Sequence, residues 1–330
     1  MKNVVLFCIY GGMIMGISAK SAIKVAIGTT VTLLAAGEMV YERLLHRRFT
    51  SINNNSRAIQ PDEYDYYGKP EDQKDGDSWF VAMHPEDTYV VNSMGKKMHS
   101  NIFMQETPTD KWIIINHGYT SCPRGMASRA FHFYKAGYNV LLPSLVSFGE
   151  DEQKYCSMGY HDKYYVKEWV NYIVNLNNDA KIAILGESMG SATTLLVTGE
   201  EDLAENVKCA IADCGYTSCW EEYVIQSKEM YKMPAFPVMH AANLVSKLRG
   251  NFDFKKSDPI NAVTRSKTPT LFIHGEEDVF VPYWMMGKLF DACVAEKEKL
   301  SIPDAQHANS HEIHPEIYYP AIDKFLARYM

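Results

Sequence analysis

Short apolar runs and amphipathic segments alternate along the chain from about residue 112 to residue 302. Runs of five or six residues predict buried strands, and longer segments with apolar residues at helical spacing predict helices. Their alternation predicts an α/β protein with a mostly parallel sheet covered by helices on both faces. The predicted strands are Trp112–Asn116, Tyr138–Leu142, Lys181–Leu185, Val207–Ala212, Thr270–His274 and Lys299–Ile302, with helices at Met126–Ala136 and Tyr160–Leu176.

A hairpin precedes this alternating region. Thr88–Asn92 reads as a strand, Ser93–Gly95 as a turn, and Lys97–Gln105 as a second strand with rough alternation of apolar and polar residues. Two short strands joined by a glycine-containing turn predict an antiparallel pair. The predicted sheet therefore has about eight strands.

The N-terminus carries two long apolar runs, Val4–Ala19 and Val25–Tyr41, separated by Lys20 and Lys24. Each run is close to the lower limit for a membrane span, so residues 1–48 are interpreted as one or two membrane-anchor segments. A cleaved signal peptide and an amphipathic helix packed on the domain are the alternatives. Lys and Arg in the flanks favour a cytoplasmic catalytic domain if both runs span.

Residues 49–78 are polar and interrupted by proline and glycine, which is typical of a linker that ends in loosely packed helical turns. The catalytic domain is predicted at 79–330. The 330 residues carry a net charge of −7, which argues against a nucleic-acid partner. The seven cysteines show no spacing typical of zinc sites or redox pairs.

Gly186-Glu-Ser188-Met-Gly190 follows the predicted strand Lys181–Leu185 and precedes a segment suited to a helix. This pattern matches the nucleophile elbow, in which a tight turn between strand and helix exposes a serine hydroxyl. The pattern alone is weak, but its place between a strand and a helix supports it. Ser188 is the candidate nucleophile.

Two further residues complete a candidate catalytic triad. A serine hydroxyl needs a base within hydrogen-bond reach, and a carboxylate fixes the tautomer of that base. Asp278 follows the strand that ends at His274, and His307 follows the last strand, giving the order Ser, Asp, His. His311 and His314 are rivals for the base but are expected to face solvent.

Attack by a serine creates an oxyanion that needs two backbone N–H donors. Met189, directly after the nucleophile, and Tyr119, in the loop after Trp112–Asn116, are the predicted donors. His117 and His274 are expected to brace loops, and Asp213, which has no partner in the catalytic motif, is expected to be structural. The pentapeptide Gly118–Cys122 recurs as Gly215–Cys219, and both loops are candidates to line the pocket.

These motifs resemble the α/β-hydrolase superfamily, in particular bacterial anchored or secreted esterases related to cinnamoyl esterases and dipeptidyl-peptidase-type catalytic domains. The resemblance extends from about residue 86 to residue 326. It implies an α/β-hydrolase fold, with Ser188 as nucleophile, Asp278 as orienting acid and His307 as base. The chain departs from the family pattern at Ser144–Gly149, where relatives often carry Asp-x-Arg-x-x-Gly, and at Gln306, where a glycine is usual.

Between the sixth and seventh predicted strands, residues 216–240 are rich in methionine and aromatic residues. They are interpreted as a small lid over Ser188, with simple packing of the crossover helix as the alternative. Such residues around a pocket favour an apolar or aryl acyl group. The predicted function is a serine hydrolase that cleaves carboxylic esters without cofactor or metal. Peptide or amide hydrolysis and a non-catalytic tethered binding protein are the alternatives.

Overall fold

The computed structural model describes residues 6–10, 13–17, 19–47 and 71–330. The strands are β1 (Leu6–Tyr10), β2 (Met13–Ile17), β3 (Glu86–Val91), β4 (Lys97–Phe103), β5 (Lys111–Asn116), β6 (Asn139–Pro143), β7 (Lys181–Glu187), β8 (Val207–Asp213), β9 (Thr270–Gly275) and β10 (Lys297–Ile302). The helices are α1 (Ala19–Leu45), α2 (Glu71–Met83), α3 (Ala127–Lys135), α4 (Asp162–Leu176), α5 (Met189–Thr198), α6 (Cys219–Tyr231), α7 (Val238–Arg249), α8 (Pro259–Val263), α9 (Trp284–Ala292), α10 (Ser310–Ile313) and α11 (Pro315–Leu326).

Eight strands form one sheet in the order β10-β9-β8-β7-β5-β6-β4-β3. β4 pairs antiparallel with both β3 and β6, and the pairs from β6 through β10 are parallel. The prediction of a hairpin followed by a mostly parallel eight-stranded sheet is confirmed. Parallel strands direct their carboxyl ends to one edge of the sheet, where ligands bind in such folds.

The central strand β5 shows why the apolar runs were readable from sequence. Ile113, Ile114 and Ile115 are all fully buried, with side chains alternating between the two faces of the sheet. Ile114 packs in one hydrophobic cluster, and Ile113 and Ile115 pack in another. A strand covered by helices on both faces must be apolar at every position, which produces a continuous run instead of an alternating pattern.

The two N-terminal apolar runs form different structures. β1 and β2, from the first run, make a separate antiparallel pair, whereas the whole second run lies in α1. No helix in the described part of the chain combines the length and hydropathy needed to cross a membrane. The membrane anchor at 1–48 and the cytoplasmic location of the catalytic domain stay predictions.

The carboxyl-terminal half of α1 is docked on the domain that contains the eight-stranded sheet. Tyr41 and Leu45 are buried in its core. Gly37 lies so close to α7 that an added Cβ would stand 2.6 Å from the backbone carbon of Ala241. Arg249 of α7 binds Glu38 and Glu42 of α1. α1 therefore packs on the domain predicted at 79–330, and α2 begins at Glu71. The predicted domain boundaries stay predictions.

We expect Gly37→Ala to lower the free energy of unfolding by about 1–3 kcal/mol, because the added methyl group would force α1 away from α7. Gly28→Ala is the matched control, since an added Cβ there meets nothing within 4 Å. Alanine is the better helix former, so the control should be neutral or slightly stabilising. Urea unfolding of both variants measures the difference. Equal midpoints would contradict the docking of α1.

Candidate active site

Ser188 stands at the turn between β7 and α5 with φ +53° and ψ −115°, a conformation that residues with a side chain rarely adopt. The two flanking glycines allow this turn. A Cβ at Gly186 would lie 2.1 Å from the carbonyl oxygen of Gly190, and one at Gly190 would lie 2.1 Å from the carbonyl oxygen of Asn116. The backbone segments at the turn thus approach each other so closely that only glycine fits at these two positions.

The structure brings the three predicted triad residues together. His307 Nε2 lies 2.9 Å from Ser188 Oγ, and His307 Nδ1 lies 2.7 Å from Asp278 Oδ2. These residues are separated by up to 119 positions in sequence, and both distances are within hydrogen-bond range. A base that contacts a hydroxyl on one side and a carboxylate on the other is the arrangement that activates a serine.

Asp278 is held as an ionised carboxylate at the end of β9. Burial would raise its pKa, but hydrogen bonds from His274 and His307 outweigh burial and lower the pKa. Its Oδ1 also accepts the backbone N–H groups of Phe280 at 3.0 Å and Val281 at 2.9 Å. Because both oxygens are engaged, the carboxylate has a fixed orientation toward His307.

The surroundings of His307 stabilise its protonated form. Burial would lower its pKa, but the hydrogen bond and charge of Asp278 raise the pKa above the ordinary value, with smaller contributions from Glu187 and Glu222. The imidazolium that forms when Ser188 loses its proton is therefore stabilised where it arises.

The two predicted oxyanion donors lie beside Ser188. Met189 opens α5, and the first N–H groups of a helix have no partner within the helix. Tyr119 lies in the loop after β5, and the preceding Gly118 is so close that an added Cβ would stand 3.5 Å from Ser188 Cβ. Both residues line the same cavity as Ser188. The assignment of their N–H groups to an oxyanion hole stays a prediction.

A cavity of about 540 Å³ opens in front of Ser188; we call it the Ser188 cavity. Both pentapeptide loops line it, through Tyr119 and Thr120 in one and Tyr216 in the other. The predicted lid contributes α6 residues. The full lining is Arg43, Leu44, Tyr119, Thr120, Met158, Ser188, Met189, Tyr216, Glu222, Tyr223, Gln226, Phe280, Val281 and His307.

A model of the prolyl oligopeptidase family matches residues 147–330, which is more than half of the chain and includes Ser188, Asp278 and His307. The chain belongs to the prolyl oligopeptidase family. With its eight-stranded sheet, it is a serine hydrolase of the α/β-hydrolase fold. This confirms the predicted superfamily and enzyme class.

The chain is also similar to individual proteins, and solved structures share its fold. The chain is 27% identical over 219 residues to the uncharacterized protein YqkD of Bacillus subtilis, covering 66% of this chain and 72% of that protein. The Pyrococcus furiosus esterase Pf2001 superposes with a TM-score of 0.62 at 21% identity, covering 82% of this chain and 98% of that one. Est1E of Butyrivibrio proteoclasticus, solved with ferulic acid bound, gives 0.57 at 17% identity, covering 73% and 98%.

In this prolyl oligopeptidase family member, α1 supplies one wall of the Ser188 cavity. Arg43 and Leu44 line the cavity, and the hydroxyl of Tyr119 donates a hydrogen bond of 2.6 Å to the carbonyl oxygen of Leu44. Sequence reasoning missed this contribution because it assigned the whole segment 1–48 to an anchor. A signal was present: Glu38, Glu42 and Arg43 are charged residues in a segment proposed to enter a membrane.

The departure from the superfamily pattern at Ser144–Gly149 is compensated locally. Ser144 Oγ lies 2.8 Å from His99 Nδ1 and accepts the N–H of Glu150 at 3.1 Å. The guanidinium of Arg47, from the end of α1, donates to the carbonyl oxygens of Gly149 and Asp151. A polar side chain from another element thus supports this loop.

A buried ionic cluster lies beneath the nucleophile. Arg129 of α3 pairs with Glu187, the residue before Ser188, and lies 3.9 Å from Asp213. Tyr318 donates a hydrogen bond of 2.9 Å to Asp213. Burial raises the pKa of Asp213 to about 6, against the opposing charge of Arg129. Asp213 was expected to be structural, and this cluster gives it that role outside the triad. The signal was an arginine at a position of the predicted helix that faces the core.

The expectation that His311 faces solvent is wrong. The side chain is buried, with neither ring nitrogen hydrogen-bonded, and burial together with the charge of Arg129 lowers its pKa well below the ordinary value. It is the second residue of the short α10 and packs against Tyr318 with ring centroids 6.0 Å apart. His314 is partly exposed and pairs with Glu316. His117 and His274 bond to the backbone of neighbouring loops, as expected.

One group of described residues has the donor atoms of a metal site: Cys214, Asp278 and His307, with ligand atoms within 4.8 Å of one another. A metal would bind the thiolate of Cys214. Burial, together with the nearby carboxylates, raises the pKa of this thiol well above its ordinary value. The nitrogen and oxygen atoms of His307 and Asp278 already bond each other, so these residues fit a triad with a neutral thiol beside it.

Proposed function

We propose that this protein hydrolyses carboxylic esters through an acyl-enzyme on Ser188, with His307 as general base and acid, Asp278 as orienting acid, and Met189 and Tyr119 as oxyanion donors. The observation that carries the proposal is the continuous hydrogen-bonded chain from Ser188 Oγ through His307 to Asp278, with Ser188 and His307 lining an open cavity. The residues needed for acyl transfer are all supplied by the chain itself.

The reaction has two steps, acylation of Ser188 and hydrolysis of the acyl-enzyme. Ser188 Oγ attacks the ester carbonyl carbon while its proton passes to His307 Nε2, and the resulting oxyanion accepts hydrogen bonds from the backbone N–H groups. The tetrahedral intermediate then breaks its bond to the alkoxy oxygen, which leaves as the alcohol with the proton from His307. Water repeats the sequence on the acyl-enzyme, giving a carboxylic acid and free Ser188.

The cavity lining favours an ester substrate over a peptide substrate whose charged amino terminus would have to be bound. Most of its side chains are apolar or aromatic, and Glu222 is the one carboxylate among the described residues that line it. Burial raises the pKa of Glu222 to about 7, so this acid is a weak partner for an ammonium group near neutral pH. Two proteins of similar structure support the same preference: Pf2001 is an esterase, and Est1E was solved with ferulic acid bound.

The test compares p-nitrophenyl esters from acetyl to dodecanoyl with p-nitroanilides of short peptides, using the full chain so that α1 is present. We expect ester hydrolysis with kcat/KM far above that for the anilides. Faster cleavage of an anilide by the same protein would replace the ester proposal with peptide hydrolysis, the activity that the family name suggests. No turnover of either class by folded protein would favour a binding protein that kept the fold.

A further inference from the structure

A second cavity adjoins the Ser188 cavity. It has a volume of about 220 Å³ and lies between α1 and the helices α6 and α7. We call it the α1 groove; its lining is Met39, Val40, Arg43, Leu44, Tyr223, Gln226, Ser227, Met233 and Met239. Four of these residues, Arg43, Leu44, Tyr223 and Gln226, also line the Ser188 cavity. The two spaces are therefore adjacent and share a wall built partly from α1.

The surface of the α1 groove is almost entirely apolar. The amide of Gln226, a polar group in its wall, already donates to Glu222 at 2.8 Å and to the carbonyl oxygen of Phe280. The hydroxyl of Ser227 donates to the carbonyl oxygen of Met233 at 3.1 Å. Since these polar groups are paired within the protein, the groove offers its occupant hydrophobic contact more than hydrogen bonds.

Three methionines line the groove, and their unbranched side chains adapt to an occupant of variable shape. Met239 is buried at its inner end, whereas Met39 is 73% exposed and Met233 is 38% exposed, so the groove opens to solvent. An apolar groove that adjoins the cavity of a nucleophile and opens at the surface matches a flexible linear chain. A compact aryl group, by contrast, would be held within the larger Ser188 cavity.

We propose that the α1 groove binds the distal part of an unbranched alkyl chain whose carbonyl carbon is attached to Ser188, so that the preferred substrates are esters of medium- to long-chain fatty acids. This inference rests on the proposed acyl-enzyme function and names its substrate class. The chain would leave the Ser188 cavity between Leu44 and Tyr223, which face both spaces. α1 then acts as one side of the acyl site.

The energetic consequence is a dependence of rate on chain length. Each methylene transferred from water to an apolar site contributes about 0.8 kcal/mol, or roughly fourfold in kcat/KM when the contact is complete in the transition state. We therefore expect kcat/KM to rise from butanoyl to decanoyl esters and to level off once the chain reaches the open end beside Met39 and Met233.

The test fills the groove without touching the triad. Val40→Trp acts from the α1 side and Met233→Trp from the loop after α6, and neither residue lines the Ser188 cavity. Leu248→Trp is the control, because Leu248 is 76% exposed on α7 and lines neither space. The readout is kcat/KM for p-nitrophenyl butanoate and p-nitrophenyl decanoate, with thermal unfolding to verify each fold.

We expect both groove variants to lower kcat/KM for the decanoate ester by at least tenfold, with the butanoate ester within about twofold of wild type and the control unchanged for both. A folded Met233→Trp variant with the wild-type ratio of the two esters would overturn the proposal. The same conclusion would follow if wild-type protein cleaved the decanoate ester more slowly than the butanoate ester.

A binding measurement separates this inference from the proposed function. Calorimetric titration of the Ser188→Ala protein with methyl decanoate reports occupancy of the groove without turnover. We expect the Ser188→Ala protein to bind methyl decanoate. Adding Met233→Trp to that protein should abolish the binding. Binding without ester hydrolysis by wild type would refute the esterase function but keep the groove. Hydrolysis of the butanoate ester with no binding of methyl decanoate would refute the groove alone.

Discussion

Ser188→Ala is expected to lower kcat for ester hydrolysis by roughly 10⁴- to 10⁶-fold and to leave the protein folded. The change removes the nucleophile while retaining the turn, because alanine has the same Cβ as serine at this positive φ. The small residual rate would come from binding and from the oxyanion donors, which do not depend on the hydroxyl.

Ser191→Ala is the matched control for this prediction. Ser191 lies three residues further along the same elbow and helix, is fully buried, and its hydroxyl has no hydrogen-bond partner. The same chemical change there should leave kcat within a few fold of wild type. A folded Ser188→Ala protein that hydrolyses esters at the wild-type rate would remove Ser188 from the mechanism.

Asp278→Asn is expected to lower kcat by about 10³- to 10⁴-fold, because an amide at this position favours the wrong tautomer of His307. It should also move the pH profile. His307 must be neutral to accept a proton, so kcat/KM of wild type falls as pH decreases through a pKa that Asp278 raises above the ordinary value. Loss of this carboxylate removes the raising contribution, so the inflection should move to lower pH.

Glu277→Gln provides the control for Asp278→Asn, since Glu277 is the adjacent acid but is exposed. The control should keep both the rate and the pH inflection of wild type. The measurement is kcat/KM for p-nitrophenyl butanoate between about pH 5 and pH 9, corrected for spontaneous hydrolysis. An unchanged inflection in Asp278→Asn would show that this carboxylate does not set the protonation of His307.

The sheet and the arrangement of Ser188, Asp278 and His307 were accessible from the sequence because each leaves a local signal. Buried parallel strands are continuous apolar runs, such as the one that contains Ile114. The elbow needs two glycines at fixed spacing, and the acid and base follow identifiable strands. Proximity in space then follows from topology, since parallel strands end at one edge of the sheet.

The contribution of α1 was not accessible in the same way. Tyr41 and Leu45 in its second half pack in the core of the domain. An apolar helix that packs on protein resembles in sequence one that enters lipid. The buried pair of Arg129 and Glu187 was hidden for a related reason. Charged residues are ordinarily exposed, so the sequence alone does not indicate that Arg129 is buried. Its partner Glu187 lies 58 positions away, and only the fold brings the two together.

The most direct test of the central claim is the site of covalent modification by an alkyl fluorophosphonate, which reacts with serines activated by a neighbouring base. Peptide mapping of the labelled full-length protein should place one adduct on Ser188. His307→Ala, verified as folded, should abolish the labelling because the base is lost. Labelling of another serine, or equal labelling of Ser188 without His307, would contradict acyl transfer by this triad.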